Sequence, residues 1–83
     1  MTGCGTFAEE MILPQSAVIK VDQDIPLNVV SLIGCGVMTG VGAAINTAKI
    51  TPGSSVLVIV CGGVGISAIQ GALIAGARMI IAV

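Results

Sequence analysis

Residues 55–83 decide the fold and read SVLVIVCGGVGISAIQGALIAGARMIIAV. The continuous, largely β-branched run at 55–60 is typical of a parallel strand that is buried on both faces. A glycine turn follows at 61–65, and residues 66–77 then carry apolar and small residues at helical spacing. A second apolar run begins at Met79. Strand, glycine turn, helix and strand within about 30 residues predict a βαβ unit with parallel strands, and the fold class is therefore α/β.

The glycine turn is a degenerate form of the dinucleotide fingerprint G-x-G-x-x-G. In that fingerprint the first glycine makes the tight turn, the second lets the backbone approach a pyrophosphate, and the third lets the helix pack on the strand. Gly62 and Gly65 hold the second and third positions, whereas Val60 holds the first. If the first position requires a positive φ, a β-branched residue there costs roughly 1 to 2 kcal/mol or more. The glycines can equally serve only a tight turn from strand to helix, so the motif alone leaves both interpretations open.

The residues upstream of this unit predict other elements. Loose alternation of apolar and polar residues predicts two short strands at 6–13 and 18–21, and thus a β-rich segment. Asp24 is typical of a helix N-cap and Pro26 of the first helical turn. We expect that short helix to end near Gly34. Closely spaced glycines at 34–42 then indicate a turn into a second helix, whose backbone another helix, a sheet or a ligand must approach closely.

The composition excludes several functional classes. Of the 83 residues 55% are hydrophobic and 8% are charged, and the formal net charge is −1. Three Lys or Arg residues and one aromatic ring are too few for nucleic-acid binding. The absence of histidine excludes every His-based triad, general base or metal site within this sequence. The cysteines, Cys4, Cys35 and Cys61, are odd in number and widely spaced, which argues against a disulfide framework. The first residues are acidic and have no signal-peptide pattern, so we expect the reducing cytoplasm.

A membrane protein is the alternative hypothesis. Residues 25–48 and 50–77 are uncharged and each long enough to span a bilayer, and Gly36 and Gly40 form a GxxxG pair. The chain could thus be a small membrane-inserted or self-associating helical protein without catalysis. Polar residues inside both runs and the absence of Trp and Tyr weigh against insertion. The spacing of strand, turn, helix and strand favours the α/β unit, with no membrane, over membrane insertion. An unbroken helix over 55–83 would exclude the α/β interpretation.

A resemblance to a known family extends over essentially the whole chain. The segments that carry it are, in order, GTFAE, KVD, LIGCGVMTGVGA, NTAKI, PGSSV, CGGVGISAIQGA and AGA..IIAV. They resemble the middle of a zinc-containing medium-chain alcohol dehydrogenase, in the branch that includes the class III, formaldehyde-oxidising enzymes. The resemblance implies that residues 1–33 are the end of a GroES-like catalytic domain with a linker helix. It also implies that residues 34–83 are the first, incomplete part of an NAD-binding Rossmann domain, a partial Rossmann-type βαβ unit.

The resemblance also implies site residues. Cys35 matches one of three protein ligands of the catalytic zinc, although a lone cysteine among glycines is more often a small buried hydrophobe. Thr39 matches a residue of the catalytic site that lines the nicotinamide side of the coenzyme pocket. Met38 stands where the family usually has Ser or Thr, and Val60 where it has Gly. Cys4 and Cys61 match no family role. The coenzyme-binding turn of the family matches Gly62, Gly63, Val64 and Gly65.

The function implied by the resemblance is hydride transfer between NAD and a small alcohol or an aldehyde adduct such as a hydroxymethyl-thiol. The implied cofactors are a catalytic Zn²⁺, of which this chain holds only a partial site, and NAD. Full-length homologues are expected to be homo-oligomers. We expect the 83 residues alone to be inactive, because the family's other zinc ligands lie upstream of the matching segment.

Overall fold

The computed structural model of the chain describes residues 5–83. A long helix, α1, runs over Leu27–Thr47 and is followed by strand β1, Ser55–Val58. Helix α2, Gly63–Ile74, connects β1 to strand β2, Met79–Ala82. A single turn of 3-10 helix lies at Gln15–Ala17. The molecule is elongated, with extents of 44 × 24 × 23 Å.

The two strands are parallel neighbours, as the sequence pattern predicts. Ser55 pairs with Met79 and Val58 with Ala82, and α2 makes the connection between them. The α/β class is therefore confirmed. The expectation that β1 is buried on both faces is wrong for this chain. Val56 and Val58 are half-buried, but Leu57 points the other way in the pleat and is 58% exposed.

Residues 50–77 do not form the second helix of a membrane hairpin, because they contain β1 and a helix of only 12 residues. The two-helix membrane hypothesis is therefore not favoured. By length and composition alone the 21 residues of α1 could cross a membrane. One side of α1 is instead packed against α2.

The core lies at the contact between α1 and α2 and consists of small residues. Ala44, Ser67 and Ala72 are buried, together with Gly40 and Gly71. A Cβ added at Gly40 would lie 2.5 Å from the Cβ of Ser67 and would collide with the backbone of α2. The predicted close approach to the glycine-rich stretch is thus confirmed, and a helix makes it.

The course of α1 differs from the prediction in two ways. Pro26 is the N-cap residue, with ψ of 135°, rather than part of the first turn, and no side chain, Asp24 included, caps the helix. The helix does not end near Gly34 but continues to Thr47. Each interior glycine weakens a helix by roughly 0.5 to 1 kcal/mol relative to alanine. The tight packing of Gly40 on α2 offsets that loss.

The β-rich segment predicted at the start of the chain is wrong for the described residues. Residues 5–26 contain no strand, and their regular structure is the single turn at Gln15–Ala17. The large apolar side chains there find nothing to pack against, since Phe7 is fully exposed and Ile12 is 97% exposed. An isolated pair of short strands is at best marginally stable in water, so loose alternation alone does not produce strands.

Candidate functional site

A cleft of about 390 Å³ opens between α1 and the beginning of α2. Both helices contribute to its walls, which include Ser31, Cys35 and Gly36 on α1 and Gly63, Ile66 and Gln70 on α2. Cys35, which matches a zinc ligand, and Gly63, which matches a coenzyme-binding position, therefore line one cavity. They are far apart in sequence, and the packing of α1 on α2 brings them together.

Cys35 lies in a π-type turn of α1, Ile33–Val37. The N–H of Val37 donates to the carbonyl oxygen of Leu32, five residues earlier, at 3.2 Å. Such turns widen a helix locally and are frequent at functional sites. The Cys35 thiol is free and exposed, so the interpretation as a small buried hydrophobe is wrong for this chain. An exposed thiol on a cavity wall is able to bind a metal ion or a ligand.

Among the residues that line the cleft, Cys35 alone has a side chain of a type that binds zinc in proteins. Within residues 5–83, no group of three or more His, Cys, Asp or Glu side chains comes together to hold a metal ion. A four-coordinate zinc site requires three or four protein ligands. Cys35 is suited to be one ligand of a shared site and is insufficient by itself.

The glycine turn places its residues in two different environments. Gly62 is the N-cap of α2 and provides no side-chain cap, and nothing lies within 4 Å of a Cβ added at Gly62 or Gly63. The first N–H groups of a helix lack partners within the helix, and this end of the helix favours anions. At Gly65, by contrast, an added Cβ would collide with the carbonyl oxygen of Val60. Gly65 is thus required for packing α2 onto the end of β1.

Val60, at the first position of the fingerprint, has a positive φ. Its φ is 71°, in the left-handed region that glycine adopts freely and β-branched residues avoid. The first position of the fingerprint therefore adopts a positive φ in this chain, although valine stands there.

Thr39 and Val64 lie near the cleft without lining it. Thr39 is exposed and follows Cys35 by one helical turn, so the two residues share a face of α1. Its neighbour Gly40 approaches so closely that an added Cβ would collide with the carbonyl oxygen of Val64. The structure thus brings the helical turn that carries Thr39 against the glycine turn of α2.

Besides Ser67, which is buried in the helix contact, two polar cleft residues, Ser31 and Gln70, are absent from the sequence-based candidates. Helical spacing is the signal that could have identified them. Ser31 precedes Cys35 by four residues on α1, and Gln70 follows Gly63 by seven and Ile66 by four on α2. Both therefore belong to the same helix faces as the predicted residues.

The known proteins that this chain is similar to include several alcohol dehydrogenases. No protein-family model matches the chain. The chain is 48% identical over 83 residues to alcohol dehydrogenase B of Mycobacterium tuberculosis, covering 100% of this chain and 22% of that protein. It is 49% identical over 81 residues to S-(hydroxymethyl)glutathione dehydrogenase of Paracoccus denitrificans, covering 98% of this chain and 22% of that protein.

A solved structure agrees with these relatives. Benzyl alcohol dehydrogenase from Acinetobacter calcoaceticus matches with a TM-score of 0.72 and 45% identity, covering 77% of this chain and 18% of that one. The chain spans about a fifth of the length of the curated relatives it matches. Essentially the whole chain is thus similar in sequence, and 77% of it in fold, to one segment of alcohol dehydrogenases, the family that its motifs resemble.

Proposed function

We propose that the chain is part of an NAD-dependent zinc alcohol dehydrogenase, which transfers hydride between an alcohol, or a hydroxymethyl-thiol adduct, and NAD. The observation that carries the proposal is the cleft in which the exposed thiol of Cys35 on α1 lies together with Gly63 at the start of α2. The names of the relatives, alcohol dehydrogenase and S-(hydroxymethyl)glutathione dehydrogenase, support the substrate class.

Cys35 is proposed as one ligand of the catalytic zinc. Its exposure and its position on the wall of the cleft support this role. The other ligands would have to come from polypeptide outside residues 5–83, since these residues offer no second donor cluster. Zinc bound at such a site would supply a Lewis acid. The role of Cys35 itself is to present a thiolate at a fixed point of α1.

Coenzyme binding is proposed for the turn at 62–65 together with Thr39. Gly62 and Gly63 leave the backbone at the start of α2 open to a close approach, which suits the pyrophosphate of NAD. Gly65 and the carbonyl group of Val64 hold that helix end against β1 and α1. Thr39, on the same face of α1 as Cys35, would contribute a hydroxyl group on the nicotinamide side.

The domain organisation and the setting are part of the same proposal. Residues 1–33 would close a GroES-like catalytic domain, and residues 34–83 would begin a Rossmann domain. That boundary falls within α1, which would therefore join the two domains. The free thiols of Cys35 and Cys61 suit a reducing compartment, and we place the protein in the cytoplasm. Assembly of the complete enzyme into a homo-oligomer is also proposed.

The test is a chimera. The segment of the Paracoccus denitrificans S-(hydroxymethyl)glutathione dehydrogenase that matches this chain is replaced by the corresponding residues of the chain. We expect the chimera to form NADH from NAD and S-(hydroxymethyl)glutathione. Cys35→Ala should abolish that activity and lower the zinc content of the chimera. Cys61→Ala is the matched control and should retain both. A folded chimera that remains active and keeps its zinc after Cys35→Ala would contradict the proposal.

The 83-residue chain alone gives a second test. We expect no NADH when it is mixed with NAD and an alcohol or a hydroxymethyl-thiol, because Cys35 alone does not complete a zinc site. Alcohol-dependent NADH formation by the purified chain would show that the described cleft is a complete active site.

A further inference from the structure

Val60, which directly precedes the glycine turn, has an unfavourable backbone conformation. Its φ of 71° brings the Cβ of an L-residue too close to its own backbone, and β-branching adds to the crowding. Its side chain is 74% exposed, so little apolar burial offsets the strain. Among the described residues other than glycine, only Lys49 shares a positive φ, and it lies at the end of α1 rather than in a sheet connection.

Contacts on both sides of Val60 hold it in this conformation. Its N–H donates to the carbonyl oxygen of Val83 at 2.7 Å, continuing the pairing of the two strands. Its own carbonyl group lies against Gly65, where no Cβ could fit. Rotation to a negative φ must therefore break the hydrogen bond to Val83 or move the carbonyl group away from α2. These two contacts oppose the strain at Val60, so the backbone there can relax when either contact is lost.

We propose that Val60 makes the turn at 60–65 a two-state element and thereby limits the affinity of the chain for a dinucleotide. The proposal rests on the proposed function, in which this turn binds the pyrophosphate of NAD. In the observed state the start of α2 is fixed on β1, and the backbone at Gly62 and Gly63 is open. In the relaxed state Val60 has left the Val83 carbonyl, and the same N–H groups are no longer held in place.

The size of the effect follows from the strain. A left-handed β-branched residue shifts the balance between the two states by about 5- to 30-fold, relative to glycine. The apparent dissociation constant rises as the competent fraction falls. Removing the Cβ should therefore strengthen binding even though no contact to the coenzyme is added.

The experiment is a graded series at one position in the full 83-residue chain. Val60→Gly, Val60→Asn and Val60→Ala are compared with the parent, because tolerance of positive φ falls from Gly through Asn to Ala and Val. Thermal unfolding is followed by circular dichroism, and NADH binding by fluorescence titration of both the chain and the chimera described above. Ile59→Gly is the matched control, since its neighbour Ile59 is also exposed but is not among the residues with positive φ.

We expect the unfolding midpoint and the NADH affinity to rise together in the order Val, Ala, Asn, Gly, with a gain of about threefold or more in affinity for Val60→Gly. Ile59→Gly should lower the midpoint. A midpoint that does not rise in Val60→Gly overturns the proposal. A higher midpoint with unchanged NADH affinity also overturns it, while leaving the proposed function intact. If neither chain nor chimera binds NADH in any variant, the proposed function fails, and the proposal fails with it.

Discussion

The contact between α1 and α2 and the cleft beside it both contain glycine, but their glycines have different surroundings. At the contact, Gly40 and Gly71 are buried, and each has atoms of the opposite helix where a Cβ would be. In the cleft, Gly36 and Gly63 have nothing within 4 Å of that position. Packing within the chain therefore explains the first pair and not the second. The open pair is the part of the glycine pattern that calls for a ligand or for further polypeptide.

One substitution, glycine to alanine, tests this difference because its sign depends on the surroundings. Where a helix is touching, the added methyl group must push the two helices apart, which destabilises the fold. Where space is open, alanine stabilises a helix by restricting the unfolded chain and favouring helical conformations.

Gly40→Ala should give the largest change. The new Cβ would lie 2.5 Å from the Cβ of Ser67 and 2.7 Å from the backbone nitrogen of Ala68. Both atoms are fixed parts of α2, so the helices must separate. We expect a loss of about 3 kcal/mol in the free energy of unfolding, measured by urea titration with circular dichroism. An unchanged midpoint would mean that α1 and α2 do not meet at Gly40.

Gly71→Ala should have the same sign and a smaller size, about 2 kcal/mol. Its Cβ would lie 2.9 Å from both the Cβ of Ala44 and the Cα of Val41. These gaps are wider than at Gly40, and alanine is also the better helix former. Because both substitutions separate the same helices, the double variant should lose less than the sum of the two. Full additivity in a double-mutant cycle would contradict a shared contact.

Gly36→Ala should stabilise the fold, unlike Gly40→Ala and Gly71→Ala. Gly36 lies in α1, one helical turn before Gly40, but an added Cβ has open space around it. We expect a gain of about 0.5 to 1 kcal/mol in the same urea titration. A loss comparable to that of Gly40→Ala would show that the cleft wall is packed.

Local pattern predicts the second half of the fold well and the first half poorly, for a physical reason. The run at 55–60 becomes β1 and the run from Met79 becomes β2, because β-branched composition, glycine turn and helix packing all favour the same structure. Residues 6–13 have only loose alternation and no partner surface, and they form no strand. The glycines near Gly34 suggest a break, but contact with α2 overrides that local preference.

The candidate site shows the same limit. Cys35 and the glycine turn are identifiable from motifs, whereas a positive φ at Val60 is only a condition in the sequence and is established by the structure. That Cys35 and Gly63 line one cleft depends on how α1 packs on α2. No local pattern contains that information. Helical spacing relates Ser31 to Cys35 only once a single helix is known to continue past Gly34, and the same spacing on α2 identifies Gln70.

Ser67→Ala should produce the smallest change and thereby separate the role of shape from that of hydrogen bonding at the contact. Ser67 is 5% exposed, and its Oγ donates to the carbonyl oxygen of Gly63 at 2.8 Å. That oxygen already accepts the backbone bond expected four residues along a helix, so losing the hydroxyl group leaves no acceptor unpaired. The Cβ that fits against Gly40 remains in place. We expect a change within about 0.5 kcal/mol in the urea titration.

Ser67→Val is the matched variant, because it keeps the Cβ, removes the hydroxyl group and adds bulk at the same point. It should cost about 1 to 3 kcal/mol, since the space beside Gly40 is already filled. If Ser67→Ala proved as damaging as Ser67→Val, the hydroxyl group and not the close fit would hold α2 against α1. The contrast between the filled contact and the open cleft would then rest on Gly71 alone.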